Sequence, residues 1–259
     1  MSIYIEIIRK SFKCFSIYRV NAVMNLLSGF IMIFLQVSLW NALYDNEFFH
    51  SATLADVITY TLLNTLLLKR CLLYVSEIIS NSIYSNEIEI DLIRPISLKT
   101  MSLMQSIGRN LFNLCTFSFP IILVTIIIFE VRKPSNIESL LGAIITAVLG
   151  QIIFWLLECI LGYTAFWLKT NWYLAYIEMA VMTLFGGIVI PIWFYPDWLK
   201  NICLFLPFRY MIYEPIYIYL YSRSSYEVMK VIMIQVVWIF FFLIVEKKVW
   251  HRAVIRAGY

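Results

Sequence analysis

Hydrophobic residues along this chain occur in long runs that no charged residue interrupts. Residues 20–44, 110–129, 139–157 and 179–196 contain no Asp, Glu, Lys or Arg. Each run approaches or exceeds the roughly 18–20 residues that cross a hydrocarbon layer of about 30 Å when a helix rises 1.5 Å per residue. These four runs therefore predict membrane-spanning segments.

Two weaker runs fit the same description. Residues 54–79 are apolar apart from Asp56, Lys69, Arg70 and Glu77, and residues 228–246, which end at Glu246, carry Lys230 near one end as their only internal charge. The period-two alternation of a barrel strand is absent, and backbone groups in lipid need internal partners, so all six segments are predicted to be helices. We expect one all-α transmembrane domain over residues 1–259, with spans at about 20–43, 54–79, 110–129, 139–168, 173–194 and 228–246.

The composition excludes most soluble classes. Hydrophobic residues make up 62% of the 259 residues and charged residues 14%, whereas soluble domains carry roughly 25% charge. With six spans, most of the 20 Lys and Arg residues lie on the side of the two termini, which predicts a multi-pass protein of the inner (plasma) membrane with both termini in the cytoplasm. The net charge of +4 then reflects membrane orientation, and no nucleic-acid partner is expected.

The segment before the first span is amphipathic. Ile5, Ile8, Phe12 and Phe15 recur at helical spacing, with charged residues between them. This pattern predicts an interface helix along the inner headgroup layer with its apolar face towards the lipid; an ordinary juxtamembrane anchor is the alternative.

Residues 80–109 form a long connection on the cytoplasmic side. It contains the charged and turn residues Glu87, Glu89, Asp91, Arg94 and Pro95. Because Pro95 cannot continue a helix and biases Arg94 towards extended geometry, we expect a short helix that ends in a bend. Such a protrusion can dock onto a partner or can be a solvated loop.

The outer end of the fifth span is interrupted. Two glycines and three prolines punctuate a segment that remains apolar: Gly186, Gly187, Pro191, Pro196 and Pro207. Irregular backbone at membrane depth is tolerated only against protein or a wet cavity. The helix is therefore predicted to break and to re-enter the membrane between spans five and six.

Four ionisable residues fall at similar depths inside the predicted spans. Glu158 and Glu178 are each about ten residues from the turn near Lys169, and Lys69 and Arg70 are about ten residues from the inner end of span two. Intramembrane charges usually face the bundle interior and pair there. One reading is an ion pair between a Glu and Lys69 or Arg70; the other is a Glu available to a cationic cargo or a proton.

Two segments resemble the signature regions of ABC type-2 permeases, in particular the six-span branch encoded with a separate ATPase. They are Glu87–Leu98, EIEIDLIRPISL, and Gly186–Tyr219, GGIVIPIWFYPDWLKNICLFLPFRYMIYEPIYIY. The resemblance implies an interface helix at the N-terminus, a coupling helix around Glu87–Pro95 that contacts ABC ATPase subunits, and a re-entrant outer gate. It also implies a dimer with a second permease, identical or paralogous. The resemblance does not fix the cargo, since relatives move lipids, glycans, peptides and drugs; we expect an amphipathic small molecule, peptide or lipid.

The chain lacks the G-x-x-x-x-G-K-[ST] loop that nucleotide hydrolysis requires, so ATP and Mg are expected in the partner ATPase, with no cofactor in this chain. No catalytic residue set is predicted, and the scattered Cys and the two His predict no metal site. Two other functions stay open: a non-transporting membrane immunity or scaffold protein, and a membrane-embedded lipid-modifying enzyme.

Overall fold

The structure is a computed structural model that describes residues 2–45, 52–70, 75–85, 96–168 and 172–256. Throughout these ranges the regular elements are helices. The α-helices are α1 (Ser2–Ile17), α2 (Arg19–Asp45), α3 (Leu54–Arg70), α4 (Val75–Tyr84), α5 (Leu98–Asn113), α6 (Phe119–Ile128), α7 (Ile137–Tyr163), α8 (Trp172–Phe185), α9 (Asp197–Leu204), α10 (Pro207–Met211), α11 (Tyr213–Leu220) and α12 (Ser225–Arg256).

Four helical stretches are long and apolar enough to cross a membrane: Arg19–Tyr44, Leu98–Ile128, Ile137–Phe166 and Ser225–Arg256. Leu54–Leu67 and Tyr173–Phe185 are apolar but shorter. Large hydrophobic side chains such as Val20, Ile127 and Val237 are exposed on the long helices, as expected for surfaces that face lipid. The prediction of an all-helical multi-pass membrane protein is confirmed, while the count of six spans stays a prediction.

Helix α7 is the centre of the bundle, because α4, α10, α11 and α12 all pack against it. The approach of α10 is close at Gly150, where an added Cβ would lie 2.8 Å from the Met211 carbonyl oxygen. Gln235 of α12 fixes the same junction: its Nε2 donates to the carbonyls of Thr146 and Tyr210, both at 2.8 Å. Helices α7, α10 and α12 are thus held together by backbone contact and by a buried amide.

The amphipathic helix α1 is present, but its apolar stripe packs on α5 rather than facing lipid. Phe12 and Phe112 are in edge contact with ring centroids 5.7 Å apart, and Ser11 Oγ donates to the Gln105 carbonyl at 2.6 Å. Ile5, which was predicted to share this face, is exposed. The C-terminal part of the apolar face of α1 therefore packs within the protein, and the part at Ile5 stays exposed.

Helices α5 and α6 form one continuous stretch, joined by the π-helical turn Leu114–Ser118. The turn inserts where Phe117 and Ser118 are buried against α2. An added Cβ at Gly29 of α2 would lie 2.5 Å from the Phe117 ring. A π turn changes which side chains face a neighbour, so the two halves of this long helix present different faces to the bundle.

Candidate functional site

The end of the bundle that holds the N-terminus of α5 is called the inner end here, because the sequence predicts it to face the cytoplasm. The predicted coupling residues Glu87, Glu89, Asp91, Arg94 and Pro95 lie outside the described residues. The helices on either side are described: α4 ends at Tyr84, and α5 begins at Leu98. Ser97 caps α5, its hydroxyl accepting from the Thr100 amide at 3.2 Å.

A buried ion pair lies directly after residues 86–95, the predicted coupling segment. Lys99 Nζ of α5 lies 2.9 Å from Glu246 Oε2 of α12, and Glu246 is only 5% exposed. Tyr163 of α7 donates its hydroxyl to Glu246 Oε1 at 3.1 Å, and Lys99 Nζ lies 4.8 Å from the centre of the Trp155 ring. We call these four residues the inner anchor; they join the start of α5 to α7 and α12.

The other flank of the coupling segment is tied to α7 as well. The Ser76 amide at the start of α4 donates to Glu158 Oε2 at 2.9 Å. Helix α4 also approaches α7 closely at Gly162, where an added Cβ would lie 2.9 Å from Ile79 Cβ. An ion pair of Glu158 with Lys69 or Arg70 would require the predicted spans two and four to be neighbours, and in this contact they are.

Glu158 and Glu178 come together in the structure. Their carboxyl groups interact side chain to side chain, and Glu158 is 1% exposed. The side chains of Lys69 and Arg70 lie outside the described residues, and the predicted pairing with them stays a prediction.

At the opposite, outer end, α8 ends at Phe185 and the chain turns at the two predicted glycines. The predicted span continues to residue 194, but regular helix stops nine residues earlier, and residues 192–194 form a 3-10 turn. Gly187 has φ +76°, a left-handed conformation that favours glycine. Tyr60 of α3 donates its hydroxyl to the Gly187 carbonyl at 2.7 Å, and Asn64 Nδ2 donates to the Ile188 carbonyl.

The three predicted prolines separate the short helices of this outer segment. Pro191 precedes the 3-10 turn, Pro196 precedes α9, and Pro207 is the first residue of α10, a position where proline costs no intrahelical hydrogen bond. Trp193 lies among the rings of Tyr60, Tyr213, Tyr217 and Tyr221. The broken segment is thereby packed against α3 and α11.

Sequence reasoning missed a charged cluster at this end. Arg132, in the loop after α6, pairs with Asp56 of α3, whose side chain is 2% exposed. Tyr221 donates to Asp56 Oδ2 at 3.3 Å, and the Arg132 amide donates to Thr59 Oγ1 at 2.8 Å. The hydrogen bond to Asp56 raises the pKa of Arg132, which lies in a loop between spans. The sequence signal that could have indicated this cluster was Asp56, an acidic residue inside an apolar run.

A second cluster holds the turn between α10 and α12. Glu214 accepts from Arg209 Nε at 2.7 Å, and its second oxygen lies 3.3 Å from Arg223 NH1. Both guanidinium groups also lie over tyrosine rings, Arg209 over Tyr213 and Arg223 over Tyr217. A buried carboxylate between two arginines is paired rather than available to a ligand.

The comparison with protein families connects this geometry to a function. The sequence model of the ABC-2 family transporter proteins matches residues 30–256, which include every element from α3 to α12 and most of α2. The chain belongs to this family. ABC-2 proteins of this kind are membrane permeases of ABC transporters, which associate with ABC ATPases, so the resemblance in the sequence is confirmed. No curated protein matched the chain in a separate search.

Proposed function

We propose that the ABC-2 permease described here is the membrane subunit of an ATP-driven exporter, energised by a separate ATPase. It crosses the membrane six times with both termini in the cytoplasm, and it pairs with a second permease chain over two ATPase subunits. By alternating access the dimer moves an amphipathic small molecule, peptide or lipid out of the cytoplasm or the inner leaflet.

The observation that carries this proposal is the attachment of both flanks of the coupling segment to the bundle interior. On one side the Ser76 amide binds Glu158 of α7. On the other side Lys99 binds Glu246 of α12, with Tyr163 of α7 on the same carboxylate. A force applied to residues 86–95 would therefore act on α7 and α12 rather than on a loose loop.

The same two helices reach the outer segment. Helix α7 packs against α10 and α11, and Gln235 of α12 binds the Tyr210 carbonyl of α10. The outer segment is in turn held to α3 by Tyr60 and Asn64. This continuity supports a mechanism in which ATP binding moves α7 and α12 and thereby opens the outer gate, provided that cargo and nucleotide bind the two states differently.

The experiment is cargo transport and ATP hydrolysis by the permease reconstituted with its ATPase. Replacing Arg94 and Pro95 by Ala should remove most of the transport while ATP hydrolysis persists, because the ATPase would then close without moving the permease. Lys133→Gln, in the loop at the other end of the bundle, is the matched control and should transport normally. Unchanged transport by the Arg94/Pro95 variant, with the complex intact, contradicts the proposal.

A further inference from the structure

A cavity of about 220 Å³ lies where α1 meets α2, at the inner end of the bundle. Its polar lining consists of Asn21 and Asn25 of α2, Arg109 and Asn113 of α5, and Thr116 of the π turn. The break between α1 and α2 at Tyr18 forms one rim. These side chains offer amide, hydroxyl and guanidinium donors around one open cavity.

Positive charge surrounds this cavity. Lys10 and Arg109 line an adjoining cavity of about 460 Å³, and Arg19 lines a third of about 450 Å³. Among the described residues that line these three cavities there is no Asp or Glu. Glu77 is one acidic neighbour of Arg109, at 3.9 Å, and its side chain is 60% exposed, so solvent screens this pair.

The position of Arg109 suits phosphate oxygens. Its guanidinium lies 4.6 Å from the centre of the Phe15 ring, a contact that holds it at the edge of the cavity. A guanidinium held in this way binds phosphate through two parallel hydrogen bonds, and neighbouring amide donors add to the set. The cavity is large enough for a phosphate with its ester carbons.

The surroundings favour a lipid as the source of that phosphate. Val20, Val23 and Leu27 expose their side chains along the first turns of α2, and Val23 lines the third cavity. This apolar surface can accommodate acyl chains, and anionic phospholipids are abundant in the cytoplasmic leaflet.

We propose that the α1–α2 cavity binds the phosphate headgroup of one anionic glycerophospholipid of the inner leaflet, with Arg109 as the principal ligand. The inference rests on the membrane orientation in the proposed function but not on transport. Its occupant would join α1, α2 and α5 at the membrane surface.

The test measures lipid retained by the full chain, in complex with its ATPase, after transfer from vesicles of phosphatidylglycerol and phosphatidylcholine into detergent. Native mass spectrometry should show retained phosphatidylglycerol on the wild-type protein. Arg109→Gln should lower it roughly fivefold or more, and Arg109→Lys by less. Asn21→Leu, which fills the cavity from an exposed helix position, should lower it as well. Lys13→Gln, exposed on α1 and outside all three cavities, is the matched control.

Equal losses in Arg109→Gln and Lys13→Gln would show diffuse attraction and overturn the proposal. Full retention by Asn21→Leu would also overturn it, and this arm stands even if Arg109→Gln does not fold. Displacement of the lipid by excess inorganic phosphate would indicate a site for soluble phosphate instead. Since lipid retention needs neither hydrolysis nor cargo, its failure is distinct from a failure of the transport proposal.

Discussion

Charged side chains inside this protein find partners on other elements at the same end of the bundle. Lys99 pairs with Glu246 at the inner end, and Asp56 pairs with Arg132 at the outer end. Removing one member of a buried pair leaves an uncompensated charge, which costs more than the pair itself contributes. The pairs therefore fix the register of helices that are distant in sequence.

We expect Lys99→Gln to lower the free energy of unfolding by about 3–5 kcal/mol, because the Glu246 carboxylate would lose its counter-ion in a buried position. Thermal unfolding in detergent measures this loss. Replacing Lys99 by Met and Glu246 by Leu together should restore much of the stability, since no charge is then buried.

The control for this variant is Lys200→Gln. Lys200 pairs with Asp197 within α9, and the Asp197 side chain is 95% exposed. Exposed pairs contribute about 0–1 kcal/mol, so this variant should unfold at nearly the same temperature as the wild-type protein. Equal effects at Lys99 and Lys200 would show that the inner anchor is not a buried contact.

Residue-scale prediction succeeded where the cause was local. The break at Gly186 and Gly187 could be predicted because glycine adopts positive φ at little cost, and Gly187 does so. The role of Glu246 could not, because it follows an apolar run and precedes two lysines, as an ordinary interface residue would. Its burial depends on Lys99 and Tyr163, which no local pattern connects to it.

Among the helices, α1 and α5 show how one glycine sets an interhelical distance. An added Cβ at Gly108 would lie 2.5 Å from the Ile8 carbonyl oxygen and 2.7 Å from Ser11 Cβ. The nearest atom belongs to the backbone, so it cannot move without shifting α1. The close approach brings Ser11 Oγ within hydrogen-bonding distance of the Gln105 carbonyl.

We expect Gly108→Ala to separate α1 from α5, although alanine favours a helix by about 1 kcal/mol over glycine. Overpacking of this kind costs about 1–3 kcal/mol. Limited trypsin digestion in lipid nanodiscs measures the separation, because Lys10 and Lys13 become easier to cleave once α1 detaches. Leu111→Ala on the exposed face of α5 should digest like the wild-type protein. Unaltered digestion of Gly108→Ala would mean that α1 is not seated on α5 as described.

Element-scale prediction depended on how far the local signal reached. Charge-free runs located the long helices because apolar length is a local property, and α7 begins two residues before the predicted span 139–168. The packing of Phe12 on α5 was not predictable, because the same apolar residues are expected on a helix face that contacts lipid and on one that contacts protein. Helix α8 proved shorter than its apolar run because the glycines end it at Phe185.

For the whole molecule, the ion pairs agree with the predicted grouping of segments at two ends of the bundle. Residues predicted to be cytoplasmic pair with each other, as Lys99 does with Glu246, and the outer residue Arg132 pairs with Asp56 near the outer end of α3. Inverting the whole chain would keep both contacts, so they indicate which segments share a side of the membrane. The assignment of one side to the cytoplasm stays a prediction from the distribution of basic residues.

We expect single cysteines to report this orientation in a variant without the native cysteines. Ser135→Cys and Ser224→Cys, both exposed at the outer end, should react with a membrane-impermeant maleimide in intact cells. Ser85→Cys and Arg256→Cys should react only after permeabilisation, because both lie on the side of the termini. Reaction of Ser85→Cys and Arg256→Cys from opposite sides would contradict the six-span arrangement.

The length of the second long helical stretch carries a mechanical consequence. Leu98–Ile128 contains 31 residues, or about 46 Å of helix, and a hydrocarbon layer occupies only about 30 Å of it. With the predicted span 110–129 in the hydrocarbon layer, the remaining roughly 16 Å of helix projects beyond the inner lipid boundary. Lys99 attaches the end of this projection to α12. A tilt of the helix by about 10° at the lipid boundary therefore moves its inner end by about 3 Å. A force on this end acts on α12 as well, through the pair of Lys99 with Glu246.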